Sequence, residues 1–168
     1  MAAFRFYYYY RYMRSEEENI KIAIISGYDL LRNGFITLLR GPGYCIQPGY
    51  ATGKEFISNL DDSDLPHLIF IDIDKHEEEA YETISYLKAN YPFINLLVLT
   101  IEADKNNIDE IRRSGANGFV VKTIDTRELK LAIKFVITKG VYYQKIDRNV
   151  YNTYDLKELE AFVKKICG

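Results

Sequence analysis

Three residues of the sequence, each at the end of an apolar run, have side chains that suit phosphoryl chemistry. Asp72 ends the run at 68–72, Thr100 ends the run at 96–100, and Lys122 ends the run at 118–122. A carboxylate oxygen can act as a nucleophile, a hydroxyl can donate a hydrogen bond, and an ammonium can neutralise developing negative charge. Because strand ends are often polar in any protein, the hypothesis depends on these chemical types and not on polarity alone.

The apolar runs themselves predict buried parallel strands. Runs with the length and continuity of such strands lie at 22–25, 68–72, 96–100 and 118–122. A weaker strand at 44–50 is interrupted by Pro48, which places it near an edge of the sheet.

Apolar residues at helical spacing predict five helices between and after these strands. Asp29 is the expected N-cap of the first helix. The apolar stripe of that helix comprises Leu30, Leu31, Phe35, Leu38 and Leu39. A short helix follows Gly53, three glutamates at 77–79 open the next, and 107–114 form a modest fourth. Thr126 is the expected cap of the last helix, which Gly140 ends.

This alternation predicts an α/β fold, a doubly wound five-stranded parallel sheet with helices on both faces. Ligands of such sheets bind beyond the carboxyl ends of the strands. Ser26 and Gly27 follow the first strand. The expected site therefore combines these two residues with Asp72, Thr100 and Lys122.

Composition excludes several classes of protein. The chain has 168 residues, with 24 acidic and 22 basic side chains and a formal charge of −2, so its surface is not built mainly to hold nucleic acid. Two cysteines, Cys45 and Cys167, and two histidines give no basis for a disulfide framework or a structural zinc site. No apolar run approaches the ~18 residues of a membrane span. We therefore expect a cytoplasmic protein without membrane contact.

Residues 1–14 differ from the rest of the chain. They contain seven aromatic residues and three arginines but no acid, and without them the remaining 19 basic and 24 acidic residues give a charge of −5. The segment lacks the aliphatic core and small-residue cleavage site of a secretory signal. We expect a disordered extension; the alternative is a Tyr/Arg surface for stacking on single-stranded nucleic acid.

The sequence resembles the receiver domain of bacterial two-component response regulators from residue 20 to about 143. In that family the third, fourth and fifth strands end in a phosphate-accepting Asp, a switch Thr or Ser, and a phosphate-binding Lys, which match Asp72, Thr100 and Lys122. Phe119 matches the aromatic switch position of the family, three residues before that Lys. The resemblance implies a flavodoxin-like fold and a role in phosphorelay signal transduction.

One departure from the family concerns its metal site. The family ends its first strand with two acids that hold Mg²⁺, whereas this sequence has Ser26 and Gly27 there. Mg²⁺ binds through hard oxygen ligands, usually one or two carboxylates, and supplies compensating charge for phosphoryl transfer. Besides the phosphoacceptor, Asp74 and Asp29 are the remaining candidate side-chain ligands. The loop at 73–77 also lacks the usual Pro and Gly of the family. We expect a degenerate receiver that binds Mg²⁺ weakly and needs no cofactor.

The carboxyl-terminal part of the chain is less regular. Residues 127–133 and 140–142 resemble the subfamily that carries a LuxR-type helix-turn-helix. Beyond the receiver-like domain at 19–143 we expect a linker at 144–154 and an amphipathic helix at 155–168. This helix resembles the first helix of a LuxR-type DNA-binding domain; the alternative is a sixth helix packed on the receiver. DNA contact is expected only through a longer parent protein, because no recognition helix follows.

Three functions are compatible with these residues. The first is a non-catalytic module, a degenerate receiver in signal transduction and transcription regulation that acts through protein contacts without Mg²⁺-dependent phosphorylation. The second is a working receiver that takes phosphate on Asp72 from a histidine kinase. The third is a small-ligand-binding or enzymatic α/β domain, although no glycine-rich nucleotide motif follows the first strand. Expected partners are other proteins, including a histidine kinase or a second copy of the chain.

Overall fold

The sheet at the centre of the fold is parallel throughout. The computed structural model describes residues 19–74 and 77–144, together with Ala161 and Lys164. In these ranges the strands are β1 (Ile20–Ile25), β2 (Tyr44–Ile46), β3 (Leu68–Asp72), β4 (Asn95–Thr100), β5 (Gly118–Val121) and β6 (Tyr142–Tyr143). Their order across the sheet is β2-β1-β3-β4-β5-β6, and each neighbouring pair is parallel.

Helices cover both faces of this sheet. They are α1 (Asp29–Leu39), α2 (Gly53–Ser58), α3 (Glu77–Asn90), α4 (Lys105–Ser114) and α5 (Thr126–Lys139). Alternate residues of β3 point to opposite faces, so Leu68 and Phe70 pack with α1 and α5, while Ile69 and Ile71 pack with α2, α3 and α4. The predicted doubly wound α/β fold is confirmed.

The sheet has one strand more than the five predicted. Tyr142 and Tyr143 pair with Gly118 and Phe119 of β5, and both tyrosines are buried. Gly118 has φ of +150°, and a Cβ atom there would lie 1.5 Å from the carbonyl oxygen of Tyr142. Only glycine permits this close approach. A two-residue strand is too short to produce a periodic apolar pattern, which is why the sequence did not indicate it.

Two predicted helix caps are wrong. Helix α1 begins at Asp29 itself, and its N-cap is Tyr28, which makes no side-chain cap bond. The carboxylate of Asp29 instead forms an ion pair with Arg32, three residues along the same helix. In α5 the cap is Asp125, whose side chain accepts a hydrogen bond from the amide of Glu128. Aspartate is as good a cap as threonine or better, so the adjacent Asp125 takes the position.

The predicted apolar stripe of α1 is only partly in the core. Phe35 and Leu39 are buried, whereas Leu30 is 87% exposed and Leu38 is 39% exposed. Helix α1 contacts the sheet along one side only. The predicted apolar stripe is wider than this contact, so Leu30 and Leu38 at its margins are exposed to solvent.

Several predicted segments lie outside the described residues. These are the extension at 1–14, residues 145–154 of the predicted linker at 144–154, and most of the helix at 155–168. Gln144, the first residue of that predicted linker, is instead buried and belongs to the folded domain, because its side chain bonds to β5 and α5. None of the helices in the described part of the chain is both long and apolar enough to cross a membrane.

Candidate functional site

The register of the sheet brings the predicted site residues together at its carboxyl edge. Ile25 pairs with Ile71, so Ser26 lies beside Asp72. Asp72 pairs with Leu99, which places Thr100 one residue beyond it on the next strand. Thr100 in turn pairs with Val121, and the amide of Lys122 donates to the Thr100 carbonyl at 2.9 Å. Four adjacent strands thus present these side chains along one edge.

Asp72 is buried, and both of its carboxylate oxygens accept hydrogen bonds. The Oδ1 atom lies 2.7 Å from the Lys122 ammonium and accepts the Asp74 amide at 3.0 Å. The Oδ2 atom accepts the Ser26 hydroxyl at 2.6 Å. The Asp72 side chain has 0% exposure. These contacts compensate the cost of burying its charge.

Lys122 bridges two carboxylates. Its ammonium contacts Asp74 Oδ2 at 2.6 Å as well as Asp72, and it lies 5.0 Å from the centre of the Tyr28 ring. Burial alone would lower the pKa of Lys122. The hydrogen bonds and the negative charges of Asp72 and Asp74 outweigh this effect, so the net pKa is raised above its ordinary value. The ammonium is therefore the cation that neutralises this part of the edge.

Asp74 lies against the end of β4 as well as against Lys122. Its Oδ1 atom accepts the Ile101 amide at 3.3 Å and lies 3.5 Å from the Thr100 hydroxyl. That hydroxyl makes its shorter hydrogen bond to the Glu102 carbonyl, at 2.7 Å. The sequence suggested Asp74 only as a metal ligand. In the structure its carboxylate instead contacts the Ile101 amide after β4 and the Lys122 ammonium after β5.

The end of β1 contributes a hydroxyl where the family has acids. The backbone amide of Ser26 donates to the carbonyl of Tyr50. The Ser26 hydroxyl accepts a hydrogen bond from the Tyr28 amide at 3.2 Å and donates one to Asp72. The Arg32 guanidinium donates to the Ser26 carbonyl. The Asp29 side chain is 83% exposed and paired with Arg32, so the structure does not bring it into contact with Asp72.

The donor set at this edge does not fit Mg²⁺. Among the described residues there is no group of three His, Cys, Asp or Glu side chains arranged to hold a metal ion. The two carboxylates present, Asp72 and Asp74, share the Lys122 ammonium, and a hydroxyl occupies the remaining side of Asp72. Mg²⁺ requires several hard oxygen ligands in near-octahedral geometry, and a neutralising ammonium competes directly with it.

The predicted aromatic switch residue, Phe119, points into the core. It has 0% exposure, and its ring meets that of Tyr143 edge to face at 5.8 Å between centroids. The Arg112 guanidinium lies 4.8 Å from the centre of the Tyr143 ring. Burial raises the pKa of Tyr143, although Arg112 opposes the shift. The sequence missed Tyr143 because its strand is so short, and the aromatic pair at 142–143 after Gly140 was the available signal.

The strand that carries Tyr143 also connects to the site through Gln144. The Gln144 side-chain oxygen accepts the Val121 amide at 2.7 Å, and its amide nitrogen donates to Glu128 at 3.2 Å. Val121 directly precedes Lys122 in the chain. Residues after β5 and on α5 therefore hold the end of β5 in place.

The strand order and the polar edge define the class of this protein. A parallel sheet in the order β2-β1-β3-β4-β5, with Asp, Thr and Lys at three adjacent strand ends, is the flavodoxin-like fold of CheY-like receivers. Residues 22–134 match the family model of the response regulator receiver domain. The chain belongs to this family, and the resemblance seen in the sequence is confirmed.

Curated relatives and solved structures agree with this assignment. The chain is 27% identical over 140 residues to the transcriptional regulatory protein DegU of Brevibacillus brevis, a match that covers 82% of this chain and 59% of the relative. It is 21% identical over 137 residues to the transcriptional regulatory protein MctR of Rhizobium johnstonii, covering 77% and 60%. The chain thus spans about three fifths of the length of these relatives.

Among solved structures, a LuxR-family two-component response regulator from an Aurantimonas species superposes with a TM-score of 0.68 at 20% identity. This match covers 88% of this chain and 99% of that one. A CheY-like receiver domain protein from Methanospirillum hungatei gives a TM-score of 0.64 at 20% identity, covering 72% and 95%. At this level of identity the likeness supports the fold.

Proposed function

We propose that this receiver domain is a degenerate signalling module, which acts without Mg²⁺-dependent phosphorylation of Asp72. The observation that carries the proposal is the sharing of one ammonium by two carboxylates, where Lys122 contacts both Asp72 and Asp74. The end of β1 meanwhile supplies the hydroxyl of Ser26 in place of a carboxylate. The site is thus neutralised by a side chain and lacks the ligands that would draw in a divalent ion.

The state of the Asp72 carboxylate also opposes phosphorylation. An attack on phosphorus requires a nucleophilic carboxylate oxygen and a cation that draws the two anions together. Here Oδ1 accepts two donors and Oδ2 accepts the Ser26 hydroxyl, and each of these bonds stabilises the free carboxylate and makes it a weaker nucleophile. One ammonium and two carboxylates leave a net charge of −1 on the cluster, which repels an incoming phosphoryl donor.

A working receiver that takes phosphate on Asp72 from a histidine kinase is the second candidate. It is favoured by the placement of Asp72, Thr100 and Lys122 on adjacent strand ends. A small-ligand domain gains less support, because the cavity beside Asp72 and Ser26 measures about 10 Å³. That volume holds about one water molecule.

The proposed partners are proteins. A receiver that does not change with phosphate can still present a fixed surface to a histidine kinase, to a second copy of the chain or to a transcription regulator. DNA contact is proposed only through a longer parent protein, and the proposed location is the cytoplasm. We assign no enzymatic activity to the domain.

The proposal is tested by exposing the native chain to acetyl phosphate with and without Mg²⁺ and measuring its intact mass. We expect no gain of a phosphoryl group under either condition. The Asp72→Asn variant is the matched control, since it removes the acceptor and leaves the rest of the edge in place. Labelling of the native chain that requires Mg²⁺ and disappears in this control would establish the second candidate instead.

A further inference from the structure

Leu30 and Ile101 are the most exposed of the large apolar side chains that the structure describes, at 87% and 62%. Both lie at the carboxyl edge of the sheet, Leu30 in the first turn of α1 and Ile101 directly after β4. Tyr28, which is 43% exposed, precedes α1 at the same edge. We call Tyr28, Leu30 and Ile101 the carboxyl-edge patch. Scattered apolar residues are normal on a protein surface, whereas a group of them at one place indicates a contact surface.

Contacts around Lys122 connect the members of this patch. The Tyr28 ring lies 5.0 Å from the Lys122 ammonium, and that ammonium contacts Asp74 at 2.6 Å. Asp74 in turn accepts the Ile101 amide at 3.3 Å. Tyr28 and Ile101 are therefore connected through two side chains, and Leu30 lies two residues after Tyr28.

The chain leaves the described domain at this same edge. Helix α5 ends at the opposite edge, and β6 then runs back in parallel with β5, where Tyr143 pairs with Phe119. Beyond β6 the Gln144 side chain accepts the Val121 amide at 2.7 Å, and Val121 precedes Lys122. The chain after Gln144 therefore begins beside the strand end that carries Lys122.

The next part of the chain is long enough to reach the patch. The predicted linker after Gln144 contains ten residues, 145–154, which span up to about 33–36 Å. A helix of the 14 residues 155–168 is about 21 Å long. The ends of β5 and β1 are three strand spacings apart, about 14 Å. A helix of this length can therefore extend across the edge from Lys122 to Leu30.

The predicted helix at 155–168 carries one apolar stripe. Its members follow one another at intervals of three and four residues and are Leu156, Leu159, Val163 and Ile166. Ala161 and Lys164, which the structure describes as helical and exposed, lie outside the stripe. A single helix of 14 residues is only marginally stable in water, so its formation requires that its apolar side packs against another surface.

We propose that the apolar stripe of the helix at 155–168 packs on the carboxyl-edge patch of the same chain. This contact removes apolar surface of both elements from water. The short linker raises the local concentration of the helix at the patch to the millimolar range, so a weak contact is sufficient. A partner protein that binds this edge of the sheet then competes with the chain's own helix.

The experiment uses the two cysteines of the chain. Cys45 is exposed on β2 and is replaced by Ser, and a nitroxide spin label is attached to Cys167, which directly follows the stripe. The label broadens the amide NMR signals of residues in its neighbourhood. We expect the signals of Leu30 and Ile101 to lose at least twofold more intensity than those of residues at the opposite edge of the sheet.

Two double variants, each with the same label, show whether the patch holds the helix. Leu30→Ser with Ile101→Ser removes the aliphatic side chains of the patch. Leu38→Ser with Val141→Ser is the matched control, since both residues are 39% exposed and lie near the end of α1 and directly before β6. We expect the broadening at positions 30 and 101 to fall at least twofold in the first variant and to remain in the control. All four positions are exposed, so both variants should keep the fold, which thermal unfolding verifies.

Leu159→Ser with Val163→Ser tests the contact from the helix and leaves the folded domain unchanged. We expect the same fall in broadening. Broadening that is equal at both edges of the sheet, or unchanged in the patch and stripe variants, would overturn the inference. A mixture of spin-labelled chains and unlabelled, isotope-enriched chains tests for a second copy on the patch. Broadening of the enriched chains would show such a copy and would also overturn the inference.

Failure of this inference can be separated from failure of the proposed function. The inference concerns apolar side chains and holds whether or not Asp72 accepts a phosphoryl group. Acetyl phosphate labelling of the native chain tests the proposed function, and the spin label tests only where the helix lies.

Discussion

Replacing Lys122 by Met removes the cation that Asp72 and Asp74 share. The Asp72 side chain has 0% exposure and that of Lys122 has 14%, so water can replace the lost contact only to a small extent. Removing one partner of a buried ion pair costs roughly 3–5 kcal/mol, because the other charge stays buried without compensation. We expect Lys122→Met to lower the free energy of unfolding by about this amount. For a domain whose total stability is about 5–15 kcal/mol, the loss is large and measurable.

The assay for this prediction is equilibrium urea unfolding at neutral pH. Lys134→Met is the matched control, because it makes the same Lys-to-Met substitution at an exposed position of α5. The double variant Lys122→Met with Asp72→Asn should recover at least half of the loss, because it also removes the buried charge. A loss below about 1 kcal/mol in Lys122→Met, or no recovery in the double variant, would refute the reasoning, since values that small are typical of exposed pairs.

Three further predictions concern other parts of the chain. Burial lowers the pKa of Lys88 from its ordinary value of 10.5 to about 8 in the folded chain. Between these two pH values the unfolded chain therefore binds one proton more than the folded chain. The free energy of unfolding of the native chain, measured by urea titration, should therefore rise with pH in this window by up to about 3 kcal/mol relative to that of Lys88→Met. If the unfolding free energies of the two proteins change with pH in parallel, the prediction is wrong. Gly118→Ala, whose Cβ would meet the Tyr142 carbonyl, should cost roughly 2–4 kcal/mol in the same assay, and a neutral result would show that β6 is not held as described. Deleting residues 1–12 should leave the thermal midpoint nearly unchanged, whereas a drop of several degrees, on the order of 1 kcal/mol, would show that the extension packs.

The sequence was sufficient to predict the fold and the meeting of the site residues. Buried parallel strands appear in the sequence as continuous apolar runs, and their carboxyl ends lie along the same edge of the sheet for any loop conformation. Asp72, Thr100 and Lys122 could therefore be placed together from the ends of three runs, and the register of the sheet agrees. This step required no knowledge of side-chain conformation.

The contacts within the site could not be predicted in the same way. Asp74 and Tyr28 lie outside the regular strands, and their backbone amides donate to the side chains of Asp72 and Ser26 in turns. Such turns depend on local backbone angles that a single sequence does not determine. The capping errors have a similar cause, because Asp125 and Thr126 are both good caps and one residue decides between them.

The central claim, that side chains and not a metal ion neutralise this edge, is tested most directly by the Mg²⁺ affinity of the native chain. Titration followed by NMR or calorimetry should give a dissociation constant in the millimolar range or weaker, since affinity follows the number and charge of oxygen ligands. The variant Ser26→Asp with Gly27→Asp adds two carboxylates beside Asp72 and should bind Mg²⁺ at least tenfold more tightly. Micromolar binding by the native chain would contradict the account.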